Sequence, residues 1–271
     1  MDYFWRKKDA RMTKLTNSII FAGAGPGDPE LITVKGQQAL KKADIVFYAG
    51  SLVPKAVLKW VRPSTELINS ASMHLEEIVE AMEKGYNEGK RVLRLHSGDP
   101  SLYGAIFEQM AELQKRSISF TLIPGVTAAF AAAASMGIEY TLPEISQTLI
   151  LTRMAGKTPV PESEALESLA SHKTSMVIYL SITLVDEVER ILRKTYGENA
   201  TCAVAFRVSQ PEEKIIFTKI GDLARRVREE KITHQALIIV GKVLEMYGAE
   251  PSHKSKLYDK NFSHGYRVSK K

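Results

Sequence analysis

The turn Ser97-Gly98-Asp99-Pro100 constrains the fold of this chain more than any other stretch of its sequence. The apolar run 91–95 before it predicts a β-strand, and a helical pattern of apolar residues begins at residue 106. Gly98 allows the backbone to approach a ligand closely or to adopt a positive φ, and Asp99 can accept hydrogen bonds. Because ligands of α/β sheets bind beyond the carboxyl ends of the strands, this segment is either a binding turn or a plain strand-to-helix connection.

The order of the predicted elements indicates an α/β protein with two domains. From residue 18 to residue 137, apolar strands alternate with helices, which is typical of a mostly parallel sheet covered by helices. Further along, the strands 201–206 and 214–218 are separated only by residues 207–213, a gap that suits an antiparallel hairpin and predicts a mixed sheet. The predicted organisation is an N-terminal extension (1–17), a first domain (18–137), a connector (138–147), a second domain (148–247) and a basic tail (248–271).

Two helix starts are predicted from capping residues. The helix 73–85 carries one apolar stripe, and Ser72 before it is a suitable N-cap. His74 lies beside that stripe and is interpreted as a surface or loop histidine, with a substrate contact as the alternative. Thr127 is predicted to cap the alanine-rich helix that ends near Met136.

Charge and cysteine content argue against several classes of protein. The net charge is +6, but residues 1–17 carry five basic and two acidic side chains, and residues 248–271 carry six and two. The body of the chain is therefore nearly neutral, which argues against a nucleic-acid partner. The sequence contains no apolar run of the roughly 20 residues that span a membrane. Residues 1–14 carry charges and no apolar h-region, so we expect no secretory signal there. The single Cys202 excludes an internal disulfide and a multi-cysteine metal site, so we expect a cytoplasmic protein.

The glycine-rich turn 23–28 does not match the dinucleotide-binding fingerprint. Asp28 stands where the third glycine is required, and Pro26 removes an N–H where a pyrophosphate would be held. A P-loop, a paired-histidine metal motif and a serine elbow are also missing from the sequence, so no metal is expected. Loops rich in Gly, Pro, Ser and Thr at the strand ends indicate instead a site for a small neutral or zwitterionic ligand, namely 23–29, 49–54, 97–104 and 124–128.

Basic side chains next to the predicted strand ends suggest a substrate with several carboxylates. Arg94, His96, Arg153 and Arg207 occupy such positions. Each is individually more often a solvated or structural charge, but together at one cleft they would pair bidentately with carboxylates.

Four segments, in this order and spacing, resemble the class III S-adenosylmethionine-dependent methyltransferases of tetrapyrrole biosynthesis, over residues 18–245. They are GAGPGDPELIT at 23–33, SGDP at 97–100, PGVTAA at 124–129 and ALIIVG at 236–241. Within this family, the chain is most similar to the group that methylates C11 of precorrin-4 or cobalt-precorrin-4 in cobalamin biosynthesis. The segments that carry this similarity are 48–53, 73–77, 94–99, 151–153 and 158–161.

The resemblance implies two α/β domains with S-adenosylmethionine in the cleft between them and S-adenosylhomocysteine as product. It also implies a tetrapyrrole polycarboxylate as substrate and a homodimer. Positions that match the family's cofactor contacts are Pro26, Gly98, Asp99, Leu102, Tyr103, Thr127, Ala128, Leu180, Val208 and Leu237. His96, Arg94, Arg153 and Tyr179 are hypotheses for positioning the substrate, and no general base is assigned.

Three alternatives remain at this point. The chain could methylate another position of a precorrin or uroporphyrinogen. It could act on a macromolecule, as a diphthine synthase or an rRNA methyltransferase does. It could also be a non-enzymatic binding domain, a reading that only the basic ends support.

Overall fold

The computed structural model describes residues 18–246 and 255–268, and the chain divides into two compact units between Val126 and Thr127. The predicted extension 1–17 and the parts 248–254 and 269–271 of the predicted tail lie outside the described residues. Within the described ranges, no helix is long and apolar enough to cross a membrane.

The first unit is built around a parallel sheet. Its elements are β1 (Ile19–Gly23), α1 (Val34–Lys42), β2 (Ile45–Tyr48), β3 (Glu66–Asn69), α2 (Leu75–Asn87), β4 (Val92–His96), α3 (Phe107–Lys115) and β5 (Phe120–Ile123). The strand order is β3-β2-β4-β1-β5, and all neighbours run parallel. The strand β4 is buried along its whole length. Because β4 is also the central strand, its carboxyl end lies in the middle of the edge that the carboxyl ends of the five strands form. This confirms the predicted parallel sheet.

The second unit contains a mixed sheet. Its elements are α4 (Ala128–Met136), β6 (Leu149–Arg153), α5 (Leu166–Ala170), β7 (Ser175–Tyr179), α6 (Val185–Tyr196), β8 (Thr201–Phe206), β9 (Lys214–Lys219), α7 (Leu223–Glu229) and β10 (Ala236–Val240). The strand order is β6-β7-β10-β8-β9. Only β6 and β7 pair in parallel, and β8 and β9 form the expected hairpin. The prediction of a mixed second sheet is therefore confirmed.

Helix α4 belongs to the second unit, whereas the predicted domain limits assigned residues up to 137 to the first. Two tyrosine hydroxyls of the second unit hold its first turn. The Tyr140 hydroxyl donates to the Ala129 carbonyl at 2.8 Å, and the Ala129 N–H donates to the Tyr179 hydroxyl at 3.0 Å. Because the side chain of Ala129 offers no such contact, the sequence pattern of the helix does not reveal this attachment.

Helix α2 begins differently from the prediction. Its N-cap is His74, not Ser72, so the predicted cap is wrong. The backbone N–H of Glu77 donates to Nδ1 of His74, and Glu77 accepts a hydrogen bond of 3.0 Å from the His74 N–H, which completes a capping box. The exposed His74 side chain, which also lies 3.0 Å from the Glu76 carboxylate, therefore serves the helix start.

Candidate functional site

Three turns of the first unit, after β1, β4 and β5, meet backbone to backbone. Gly98 and Gly25 exchange hydrogen bonds of 2.9 and 3.2 Å, which form an isolated antiparallel bridge. A Cβ on Gly23 would lie 2.5 Å from Cα of Gly125, and a Cβ on Gly125 would lie 2.0 Å from the Gly98 carbonyl oxygen. Only glycine fits at these positions, so the sheet edge presents backbone rather than side chains to a ligand.

Asp99 fastens two of these turns together. One carboxylate oxygen accepts from both the N–H and the hydroxyl of Ser101, and the other accepts from the Gly125 N–H at 2.8 Å. Burial acts to raise the pKa of Asp99, but these hydrogen bonds outweigh it and lower the pKa below its ordinary value. Asp99 is therefore ionised at neutral pH and braces the turn after β5.

The segment that follows Asp99 has a strained backbone. Tyr103 and Ala105 adopt φ values of 54° and 46°, which non-glycine residues rarely do. A Cβ on Gly104 would lie 2.1 Å from the Pro100 carbonyl oxygen, so the turn is closed tightly on itself. Leu102 is half-buried and Tyr103 is 42% exposed, whereas the predicted contact Pro26 is buried in the neighbouring turn. Strain of this kind concentrates at functional sites.

Arg94 and His96 lie on the same face of β4 and are both buried. Arg94 donates through Nε to Oε1 of Gln109 at 3.2 Å and through Nη1 to the Ser70 hydroxyl at 2.7 Å. Burial lowers the pKa of Arg94 to about 10, so it stays charged at neutral pH. Ser70 and Gln109 are not among the predicted site residues, although Gln109 interrupts the apolar face formed by residues 106, 110 and 113 at its helix.

His96 is a neutral imidazole at neutral pH. Burial lowers its pKa to about 3, with a further contribution from the charge of Arg94, against a hydrogen bond with the backbone of Gly104. Its Nε2 atom is enclosed and has no hydrogen-bond partner in the described part of the chain. Its ring stacks on Phe21 with a centroid distance of 5.9 Å. A group with this pKa is a poor proton acceptor, so His96 does not fit the role of a general base.

In the second unit, Thr127 and Tyr179 form one polar contact beside Ala128. Their hydroxyl oxygens are 2.6 Å apart, and the Tyr179 hydroxyl also accepts from the N–H of Ala129. Thr127 occupies the N-cap position of α4, but its hydroxyl caps no helix N–H, so the predicted capping bond is wrong. Tyr179 takes over that function, and burial raises the pKa of its phenol. It therefore supports residues 127–129 as a protonated hydroxyl.

Leu180, Val208 and Leu237 lie at one edge of the second sheet. The pairing of β10 with β7 and β8 brings the start of β10 beside the ends of the other two strands. Val208 and Leu237 are buried, whereas Leu180 is 66% exposed with a φ of 53°. Arg207, Ser209 and Gln235 at the same edge also have positive φ values. An exposed leucine in a strained conformation is a suitable wall for an apolar or aromatic ligand surface.

Arg153 makes its hydrogen bonds within its own loop. The guanidinium donates to the carbonyl oxygens of Thr158 at 3.1 Å and Pro159 at 2.7 Å. These bonds close the loop after β6, so the structure gives Arg153 a supporting role there. Among the residues that the structure describes, no cluster of three or more His, Cys, Asp or Glu side chains is arranged to hold a metal ion.

Comparison with known proteins identifies relatives over nearly the whole chain. Residues 18–224 match the family model "Tetrapyrrole (Corrin/Porphyrin) Methylases". A cobalt-precorrin-4 C(11)-methyltransferase of Methanocaldococcus jannaschii is 50% identical, over 93% of this chain and 97% of that protein. A precorrin-4 C(11)-methyltransferase of Pseudomonas aeruginosa is 43% identical, over 92% of this chain and 98% of that protein.

Solved structures agree with this result. The crystal structure of a cobalt-precorrin-4 methyltransferase superposes with a TM-score of 0.81 at 44% identity, covering 83% of this chain and 95% of that one. A uroporphyrin-III C-methyltransferase of Thermus thermophilus superposes with a TM-score of 0.71 at 25% identity, covering 86% of this chain and 96% of that one. The match to the family model covers well over half of the chain, and the similarity to the relatives extends through both units. The chain therefore belongs to the tetrapyrrole (corrin/porphyrin) methylase family.

Proposed function

We propose that this chain transfers a methyl group from S-adenosylmethionine to C11 of precorrin-4 or cobalt-precorrin-4 in cobalamin biosynthesis. The observation that carries the proposal is the 43–50% identity, over more than nine-tenths of the chain, to methyltransferases that act at C11. Relatives with cobalt-precorrin-4 and with precorrin-4 in their names both reach this range, so the proposal covers both substrates.

The residues present fit the proposed cofactor. A backbone cradle at Gly23, Gly98 and Gly125 suits the compact amino-acid end of a ligand, because a Cβ at Gly23 or Gly125 would meet other backbone atoms within 2.5 Å. The exposed Leu180 suits the flat adenine ring. We propose that Gly98, Asp99 and Leu102 hold the first end, that Thr127 and Ala128 assist, and that Leu180, Val208 and Leu237 line the adenosine.

The reaction needs little chemical help from side chains. S-adenosylmethionine supplies a sulfonium methyl group that is already electrophilic towards an electron-rich tetrapyrrole carbon. The protein then contributes mainly by aligning the two reactants and excluding water. In this proposal Asp99 also braces the turn that it belongs to, through the hydrogen bonds that its two oxygens accept from Ser101 and Gly125.

The direct test is methyl transfer with isotope-labelled S-adenosylmethionine. The purified chain is incubated separately with cobalt-precorrin-4, precorrin-4 and uroporphyrinogen III, and the product carbon is identified by NMR. Label at C11 of either precorrin-4 form supports the proposal. Label at another carbon, or transfer to uroporphyrinogen III alone, contradicts it.

An Asp99→Ala variant is expected to bind S-adenosylhomocysteine about tenfold more weakly than the wild type. The substitution removes two hydrogen bonds within the turn after β4 and one that ties it to the turn after β5, and bonds to a charged group are worth about 1.5–3 kcal/mol each before the turns relax. Isothermal titration calorimetry measures the affinity. Ser101→Ala, which removes only the hydroxyl bond, is the matched control and should change it less. Equal affinity of Asp99→Ala and wild type would remove Asp99 from this role.

A Tyr179→Phe variant is expected to bind S-adenosylhomocysteine several-fold to tenfold more weakly, with a smaller change in kcat. The variant loses the acceptor for the Ala129 N–H and the contact with Thr127, so the first turn of α4 is held less firmly. Calorimetry and steady-state kinetics measure the two effects. The control is Tyr196→Phe, which loses one hydrogen bond to the Thr174 carbonyl and should lower stability without changing affinity. If Tyr179→Phe, like Tyr196→Phe, lowers stability without changing affinity, Tyr179 has only a structural role.

A further inference from the structure

The buried guanidinium of Arg94 lacks a carboxylate partner among the described residues. Arginines elsewhere in the first unit form ion pairs, as Arg116 does with Glu83 and Arg91 does with Asp44. Arg94 is only 6% exposed, yet its two hydrogen bonds go to the neutral side chains of Gln109 and Ser70. A buried charge without a counter-charge is costly to the folded state, so a protein that retains one has a reason outside its own stability.

The third guanidinium nitrogen of Arg94 remains available to donate a hydrogen bond. Nε and Nη1 make the two hydrogen bonds, and Nη2 makes none with the described residues. Nη2 is also not among the enclosed side-chain atoms without partners, a set that contains Arg62 Nε, Arg267 Nε and His96 Nε2. Nη2 therefore keeps an opening through which an outside acceptor can reach it.

The polar groups around Arg94 lie where a parallel sheet binds ligands. Ser70 directly follows β3, and Gln109 donates to the carbonyl of Ala105 in the strained turn after β4. These groups lie at the carboxyl edge of a parallel sheet, where α/β proteins bind ligands. His96, two residues along the same strand face, has an enclosed Nε2 atom without a hydrogen-bond partner in the described part of the chain. The unused hydrogen-bonding capacity of Arg94 at this edge points to a ligand that carries an acceptor group.

We infer that Arg94 binds a carboxylate of a ligand, with Ser70 and Gln109 holding the guanidinium in place. A carboxylate is the group whose charge and shape match an arginine fork. This inference rests on the proposed function, in which two molecules offer such a group: the tetrapyrrole through its acidic side chains, and the cofactor through its methionine end. His96 remains neutral beside Arg94, and its enclosed Nε2 atom takes no part in the inferred contact.

The test compares Arg94→Met and Arg94→Lys with the wild type. If the carboxylate belongs to the tetrapyrrole, Arg94→Met raises KM for cobalt-precorrin-4 about tenfold or more and leaves the S-adenosylhomocysteine Kd unchanged. If it belongs to the cofactor, the Kd rises by a similar factor instead. Either result supports the inference. Arg94→Lys keeps the charge but not the fork, so its effect should be intermediate.

Thermal denaturation distinguishes a ligand-binding role of Arg94 from a purely structural one. A charge kept for a ligand lowers stability, so Arg94→Met should melt at or above the wild-type temperature while it loses affinity. A lower melting temperature with unchanged KM and Kd would overturn the inference, as would wild-type KM and Kd in Arg94→Lys. Arg116→Met is the control, because it removes an arginine that is paired with Glu83. Wild-type protein that methylates neither form of precorrin-4 contradicts the proposed function instead.

Discussion

A Gly125→Ala variant is expected to lose at least tenfold in affinity for S-adenosylhomocysteine and about 1–3 kcal/mol in the free energy of unfolding. The new methyl group would lie 2.0 Å from the Gly98 carbonyl oxygen and 2.8 Å from Cα of Gly23. Both obstacles are backbone atoms, so no side-chain rotation relieves the clash. The turns after β1, β4 and β5 must move apart, which also breaks the bond from the Gly125 N–H to Asp99. Calorimetry and thermal denaturation measure the two losses.

The matched control is Gly265→Ala. A Cβ at Gly265 would have no heavy atom within 4 Å, and its φ is not in the left-handed region. This variant should keep wild-type affinity and stability. Wild-type affinity in Gly125→Ala would show that the three-glycine contact is not part of the cofactor site, and an equal loss in both variants would show that the effect is not local.

The architecture of both sheets followed from patterns that lie within single elements. Apolar runs of four to six residues separated by helical stretches predict parallel strands, as found for β1 to β5. The short connection between β8 and β9 leaves room only for a hairpin, as observed. These features depend on residues that are close in the sequence, so they can be predicted from the sequence alone.

The site depended more on contacts between distant segments, which a sequence pattern does not carry. Asp99 is a predicted cofactor contact, and the structure adds hydrogen bonds from Ser101 and from the distant Gly125 N–H that the sequence does not indicate. Thr127 has the side chain of an N-cap, but its hydroxyl lies 2.6 Å from that of Tyr179, 52 positions away. Arg153 is a hypothesis for positioning the substrate, and the structure shows its guanidinium bonded to the carbonyl of Pro159 in its own loop. In each case a partner that only the fold brings near decides what the side chain does.

A polar residue on an otherwise apolar helix face was a sequence signal for a buried hydrogen bond. Gln109 stands on the apolar face of α3, between Ile106 and Leu113, which are both buried. A polar side chain in such a position must have a hydrogen-bond partner. Arg94 on a strand with apolar neighbours has the same requirement, so the two could have been paired before the structure was known.

The wild-type protein is expected to lose stability as the pH falls below about 6.5, and a His96→Gln variant should lose less. The pKa of His96 in the folded protein is about 3, because burial and then Arg94 disfavour the charged ring, whereas an unfolded histidine titrates near 6.5. Between these values the unfolded chain binds a proton that the folded chain does not, so the free energy of unfolding decreases as the pH falls. The slope is up to about 1.4 kcal/mol per pH unit.

Between pH 6.5 and pH 4.5 this single group accounts for about 2.3 kcal/mol, because the unfolded histidine is only half protonated at the start of the range, and this change shifts the melting temperature by several degrees. Thermal denaturation of wild type and His96→Gln over this range isolates the contribution as the difference between their slopes. His172→Gln, which removes an exposed imidazole from the turn before β7, is the control and should follow the wild type. Parallel curves for wild type and His96→Gln would mean that water or a ligand reaches Nε2 in solution and that the ring is not held neutral. Repeating the measurement with S-adenosylhomocysteine present tests whether the bound ligand, rather than the fold alone, determines the protonation state of His96.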